Sequence, residues 1–271
     1  MRLFDSHCHI DDPSYQQDLD AVFSRMDDAG VCAAMVAGVT LKTCRRAVAI
    51  ADASPICFAA VGIHPHDASS ASDAVLDELF RMANHPRVKA WGEAGLDFNR
   101  MFSPADVQET VLVRQLELAD AAGLPLIFHE RDSNGRFLSI LKAHARPERG
   151  GVVHCFSGNK AELFAYLDLG YHIGITGILT LLKRGQLLRE LVPLIPADRI
   201  LIETDSPYLT PAPEKNKHRR NEPAFVRSVM LKLADVRGAD ADALAEQVWN
   251  NTCRLYKIDE SEIGKNEKKR L

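Results

Sequence analysis

Five of the ten histidines and two acids stand where an apolar run gives way to a turn: His7 and His9 in FDSHCHI, His64 in GIHPHD, Glu93 in WGEAGLDF, His129 in IFHERD, His154 in VVHCFSG and Asp205 in IETDSP. Imidazole and carboxylate groups mixed in this way suit Zn²⁺, Mn²⁺ or Co²⁺, whereas Mg²⁺ asks for more oxygen. In an extended strand the side chains of His7 and His9 share a face and Cys8 points the other way, towards packing. Asp5, on the histidine face, could accept a hydrogen bond from an imidazole and so orient it. Taken singly, each residue has an ordinary reading: a core histidine, a paired surface carboxylate, a turn aspartate. Together they place metal-competent groups at the ends of six different strands, which independent ordinary reasons would not do. His66 could also reach the site or its substrate. His85, His144 and His218 fall in helix-end or loop positions that read as solvent-facing, and His172 begins its strand, at the opposite rim. Glu203 lies two residues before Asp205 on the same strand face and needs a buried partner.

The elements that must carry these groups alternate regularly. Short apolar or β-branched runs are expected as strands over 2–6, 33–39, 57–63, 88–94, 125–129, 151–155, 172–175 and 199–204. Amphipathic stretches between them predict helices over 15–29, 41–53, 74–84, 104–122, 135–145, 160–169 and 184–191, with two more across 224–258, one of them 240–256. Gly30, Gly123 and Gly170 follow helices where a left-handed cap is wanted. Strand–helix alternation demands a parallel sheet, and a count of eight points to closure as a (β/α)8 TIM barrel in a single domain. A doubly wound open sheet is the competitor, and the first strand lacks the glycine-rich phosphate turn which that fold would carry. In a closed barrel the carboxyl ends of the strands form one rim, and the histidines and acids would all gather there.

Composition agrees with a globular enzyme: 46% hydrophobic and 26% charged residues in 271, with a net charge of −4. No global positive field draws the chain to a polyanion or a membrane surface, so any such contact needs a local patch. Candidates are Arg131, two residues beyond His129, and the loop 215–220 (KNKHRR), in which Arg219 and Arg220 are the expected phosphate contacts. Phe98 and Phe102 could stack on a base, although packing is the role first expected of them. Six cysteines without CxxC spacing fit reduced thiols, and neither a signal peptide nor a membrane span is evident, so a cytoplasmic location is expected. The domain is expected over 1–258 and a polar, basic tail over 259–271, frayed from 264 onwards. No obligate protein partner is evident.

The segments FDSHCHID, GIHPHD, WGEAGLDF, FHERD, HCFSG, GITG and IETDSPYLTP, followed by RRNEP, run from residue 4 to about 223. In order and spacing they resemble the TatD family of metal-dependent deoxyribonucleases, within the wider amidohydrolase-like barrels. That resemblance implies a dinuclear site with one metal on His7, His9 and a bridging Glu93, and the other on Glu93, His129 and His154. It sets Asp205 beside the first metal and the attacking water, where a carboxylate can act as general base; from their positions near that rim, His64, Arg131, Arg219 and Arg220 are expected towards the substrate. Some relatives lack the first-strand HxH, which this chain retains. The activity implied is hydrolysis of phosphodiester bonds in DNA, of 3′-5′ exonuclease type. The alternatives are a metal-dependent esterase or deacylase, such as a D-aminoacyl-tRNA deacylase, and a non-catalytic nucleic-acid-binding barrel, against which the intact ligand set argues.

Overall fold

Side chains alternate between two apolar environments along nearly every strand, and that alternation builds the molecule. The computed structural model describes residues 1–264. Its strands are β1 (Leu3–Cys8), β2 (Val31–Ala37), β3 (Cys57–Val61), β4 (Val88–Asp97), β5 (Leu126–Arg131), β6 (Gly151–Val153), β7 (His172–Ile175) and β8 (Ile200–Ile202). All are parallel and hydrogen-bond in chain order from β1 to β8. Among the backbone bonds that close the remaining seam, Asp205 N–H donates to the His7 carbonyl at 3.0 Å and His9 N–H to the Ser206 carbonyl at 2.7 Å. The fold is the expected (β/α)8 barrel.

Phe4, Ala33, Met35, Phe58, Ala60, Ala90, Ile127, Val152 and Leu201 point inwards, while Leu3, Ala34, Val36, Ala59, Val61, Phe128, Val153 and Ile202 face the helices. Parallel strands buried on both faces read as near-continuous apolar runs for this reason. The connecting helices are α1 (Leu19–Asp28), α2 (Leu41–Ala53), α3 (Asp73–Met82), α4 (Ala105–Ala122), α5 (Arg136–His144), α6 (Lys160–Asp168) and α7 (Gln186–Leu191). After β8 come the short α8 (Ala212–Lys215), then α9 (Val226–Arg237) and α10 (Ala241–Tyr256). Small alanines inside the barrel leave room for α10, whose Trp249, Leu255 and Tyr256 join the inner cluster and close the lower end. Cys8 packs among the outward-facing residues, as expected from its parity.

At three boundaries that differ from expectation, a hydrogen bond explains the difference. β2 stops at Ala37 because the Val39 and Thr40 N–H groups both go to Thr43 Oγ1, at 2.8 Å, in the cap of α2. β8 stops at Ile202 because Thr204 N–H is taken by the Asp5 carboxylate at 2.8 Å. α1 begins at Leu19, not residue 15, because Asp12 caps a separate 3₁₀ turn over Pro13–Tyr15. Residues 259–264 lie against the barrel, with Glu260 paired to Arg2 and Glu262 to Lys89; residues 265–271 of the expected basic tail lie outside the described residues. Among the described residues no helix is long and apolar enough to cross a membrane.

Candidate metal centre

Glu93 stands at the middle of the carboxyl-end rim, carried by β4, where glycines let the backbone lie close to its neighbours. A Cβ on Gly95 would stand 1.7 Å from the His129 carbonyl oxygen, and one on Gly92 (φ 146°) 2.3 Å from that of Ile127. The two Glu93 oxygens face different histidines. Oε2 lies 3.4 Å from His7 Nε2 and 3.9 Å from His9 Nε2. Oε1 lies 2.6 Å from His129 Nδ1, 3.5 Å from His64 Nε2 and 3.6 Å from His154 Nε2. Asp205 Oδ1 completes the set at 3.3 Å from His9 Nε2 and 3.8 Å from both His7 and His154 Nε2. Asp205 (φ 56°) adopts the left-handed conformation that asparagine and aspartate tolerate best.

The far side of each ring decides what its near nitrogen can do. His9 Nδ1 meets the Ala37 carbonyl at 2.8 Å, so it carries the proton and leaves Nε2 with a free lone pair. His154 Nδ1 lies 2.9 Å from Glu203 Oε1, off the ideal hydrogen-bond direction, with the same consequence. His129 Nε2 lies 3.4 Å from Asp97 Oδ2, off the ideal hydrogen-bond direction, and Nδ1 donates to Glu93 Oε1 at 2.6 Å, the proton that an ion there would replace. His64 is oriented in the opposite sense. Its Nδ1 accepts the His66 N–H at 3.0 Å, so in the neutral ring the proton sits on Nε2, which is then a donor aimed into the site. His7 Nδ1 is buried with no hydrogen-bond partner.

Burial and charge act against each other here. Burial pushes the Glu93 carboxyl up, but the His154 and His64 rings and the hydrogen bond from His129 outweigh it and hold it well below the usual carboxylate range. Asp205 is held low against the same penalty by His9, His154 and His7. Burial opposes charge on His9, His129 and His154, yet the carboxylates beside them raise these rings to about 9, 9 and 10. For His64 burial prevails and leaves the ring at about 4. The carboxylates thus draw cations into the rim, and divalent ions can take the place of the ring protons. Among the described residues, donor groups close enough to converge on an ion include His7–His9–Glu93, His64–Glu93–His129 and His7–His154–Asp205, each within 4.8 Å. Ligands of one tetrahedral ion stand roughly 3.4 Å apart, so these residues fit such ions.

The sequence model described as TatD related DNase matches residues 4–257. The chain belongs to that family. The 3'-5' ssDNA/RNA exonuclease TatD of Klebsiella pneumoniae (strain 342) is 40% identical to it, covering 95% of this chain and 98% of the relative. The protein of the same name from Rahnella sp. (strain Y9602) is also 40% identical, over 94% of this chain and 98% of its own. The solved TatD homologue of Escherichia coli K12 superposes with a TM-score of 0.87 at 32% identity, covering 95% of this chain and 99% of that one. A TatD-family hydrolase from Entamoeba histolytica has a TM-score of 0.86 at 24% identity, covering 96% and 99%, and speaks to the fold alone.

In this TatD-family barrel the six expected ligands, His7, His9, Glu93, His129, His154 and Asp205, stand together at one rim. Two cavities of about 710 and 720 Å³ open on either side of them and share His129, Arg131, His154, Arg184, Asp205 and Leu209. Arg131 thus lines both cavities, its nearest acid being Asp132 at 4.0 Å. In the basic loop, Arg219 and Arg220 line neither cavity. Arg220 is committed to both oxygens of Asp18, at 2.8 and 2.7 Å, with its guanidinium 4.3 Å from the Tyr15 ring centroid. Asp5 turns to Thr204 and the His7 backbone instead of the imidazole expected of it. Glu203 has its buried partners in His154 and the Cys155 N–H. His66 does reach the site, 2.8 Å from Asp97. Phe98 packs on the core, whereas Phe102 is 68% exposed. Sequence reasoning missed Asp97, Tyr208 and Arg184; Asp97 could have been found, since it shares the strand face of Glu93 four residues on.

Proposed function

We propose that this chain is a metal-dependent exonuclease that removes nucleotides from the 3′ end of single-stranded DNA or RNA, with Asp205 as general base. The observation that carries the reading is the division of Glu93, one oxygen towards His7 and His9 and the other towards His129 and His154. His7, His9 and Glu93 would hold one divalent ion and Glu93, His129 and His154 a second, with Zn²⁺, Mn²⁺ and Co²⁺ better suited than Mg²⁺. When bound, such a pair neutralises charge on a phosphodiester and acidifies water.

The protein's own groups supply the rest. Asp205, kept ionised by His9, His154 and His7, accepts the proton of the attacking water and returns it to the leaving oxygen. His64, neutral with its proton on Nε2, donates to a non-bridging phosphate oxygen. Arg131 binds a phosphate of the strand in the bidentate manner its planar fork allows. The relatives at 40% identity, which bear the name 3'-5' ssDNA/RNA exonuclease, favour this substrate class, and no observation favours the deacylase alternative. We place the enzyme in the cytoplasm, where its six unpaired cysteines would stay reduced.

The test is a 5′-labelled single-stranded oligonucleotide offered to chelated protein and to protein reloaded with Mn²⁺, Zn²⁺, Co²⁺ or Mg²⁺. Reloaded protein should give a ladder shortened from the 3′ end, and chelated protein none. Full cleavage by the chelated protein, or charged D-aminoacyl-tRNA hydrolysed in preference to the oligonucleotide, would overturn the proposal.

A further inference from the structure

Three exposed side chains at the rim take no part in the core or the metal centre. Phe102 is 68% and Tyr208 57% exposed, unusual for large aromatic groups, and both line the 720 Å³ cavity. They stand at opposite ends of the row of site histidines. Phe102 meets His66 edge-on with centroids 4.8 Å apart, and Tyr208 lies 6.1 Å from the His9 ring. Arg184 lines both cavities and, among the described residues, has no hydrogen bond or ion pair of its own. The loop that carries it is held firmly. Arg189 donates to the carbonyls of Leu179 at 3.0 Å, Leu181 at 2.7 Å and Leu182 at 2.5 Å. Gly185 presses so close that a Cβ there would lie 2.2 Å from the Ile178 carbonyl oxygen. An unpaired guanidinium is thus presented at the boundary between two cavities by a pinned backbone.

We propose that the two cavities form one groove for a single nucleic-acid strand, in which Phe102 and Tyr208 stack on bases and Arg184 binds the phosphate that crosses from one cavity to the other. This rests on the nuclease reading above and extends it to strand selection. The 720 Å³ cavity is also lined by Asp11, Asp12, Asp67 and Asp97, so a polyanion entering it depends on the few cations present, Arg100, Arg131 and Arg184, besides any bound metal. Aromatic faces accept any base, which gives sequence tolerance, but a base within a duplex is already stacked and paired and cannot be offered to them. Single strands are therefore preferred for a reason built into the rim.

The test uses metal-loaded enzyme and three variants, Phe102→Ala, Tyr208→Ala and Arg184→Gln, on a single-stranded thymidine oligonucleotide. Stacking on one base is worth about 1–3 kcal/mol, and 1.4 kcal/mol is tenfold, so KM should rise at least ~5-fold in each aromatic variant and by more than kcat falls. Phe102→Trp should restore KM and Phe102→Leu should not, which separates stacking from apolar filling. Arg184→Gln should lower the slope of log(kcat/KM) against log salt by about 0.7, one single-strand phosphate contact, while the aromatic variants leave that slope alone. Parental KM and salt slope in all three variants would overturn the inference, as would full rescue by Phe102→Leu. A parent that hydrolyses methyl 4-nitrophenyl phosphate but not the oligonucleotide would refute the groove and leave the metal phosphodiesterase standing. A metal-loaded parent inert to both would refute the nuclease reading itself, and the groove with it.

Discussion

Replacing Glu203 by Gln removes one buried negative charge while keeping the shape of the side chain. Glu203 is fully buried. Its Oε1 accepts the Cys155 N–H at 2.5 Å and lies 2.9 Å from His154 Nδ1, and its Oε2 lies 3.5 Å from Ser6 Oγ. A glutamine carbonyl at the Oε1 position can accept from both donors, and its amide then faces Ser6 Oγ, so the metal-free barrel should stay folded. At 2.9 Å and an effective dielectric of ~20 the bare attraction for a charged His154 is about 6 kcal/mol, most of it offset by desolvation. What survives is the support a carboxylate lends to a metal-binding imidazole, commonly 10- to 100-fold in affinity, or about 1.4–2.8 kcal/mol. Chelator competition on the reloaded protein should show that loss at the proposed site that includes His154. Gly174→Ala should do the same by another route, since its Cβ would lie 2.7 Å from both Glu203 oxygens. If Glu203→Gln binds both ions within twofold of the parent, His154 does not rely on the carboxylate and the assignment of its Nε2 to metal loses its support.

Asp205→Asn keeps the side chain's shape but not its basicity, and kcat for the oligonucleotide should fall by at least ~10²-fold; near-parental turnover would exclude Asp205 as the base. Arg131→Gln should lower the salt slope of kcat/KM by about 0.7, whereas Arg219→Gln, which lines neither cavity, should leave it unchanged. A fall in slope on changing Arg219 would return the basic loop to the substrate path. His172 lies at the opposite end of the barrel, where burial, and then Arg199, lowers its ring to about 4 from an ordinary 6.5. The unfolded chain takes up this proton first, so stability is intact above about pH 6.5 and falls as pH drops towards 4, by up to about 3 kcal/mol. Urea midpoints of metal-free His172→Gln should be flatter than the parent's across that window, and parallel curves would show that His172 does not carry the effect.

Each strand of the barrel announced itself locally. Runs such as VCAAMVA and CFAAV are apolar throughout because both faces of a parallel strand are buried, and the residue that ends each run sits at one rim whatever the rest of the chain does. The alternation of strand and helix and the gathering of His7, His9, Glu93, His129, His154 and Asp205 were accordingly legible. The limits of β2 and β8 were not, because side chains, Thr43 and Asp5, take the backbone donors that would have prolonged the ladders. Nor could the sequence say which nitrogen each imidazole offers. That choice is made by groups such as Ala37 and Glu203, which reach the rings from other strands or other turns of the barrel. The basic loop shows the same dependence on distant partners. Lys215 to Arg220 is the densest positive stretch of the core sequence, but Asp18, 202 residues away, claims Arg220. The isolated Arg184 does line the cavities, beside Arg131, because Arg189 and Gly185 fix the loop that presents it. Periodicity and residue type are local properties that sequence displays. Partnership between distant polar groups is settled only when the sheet closes.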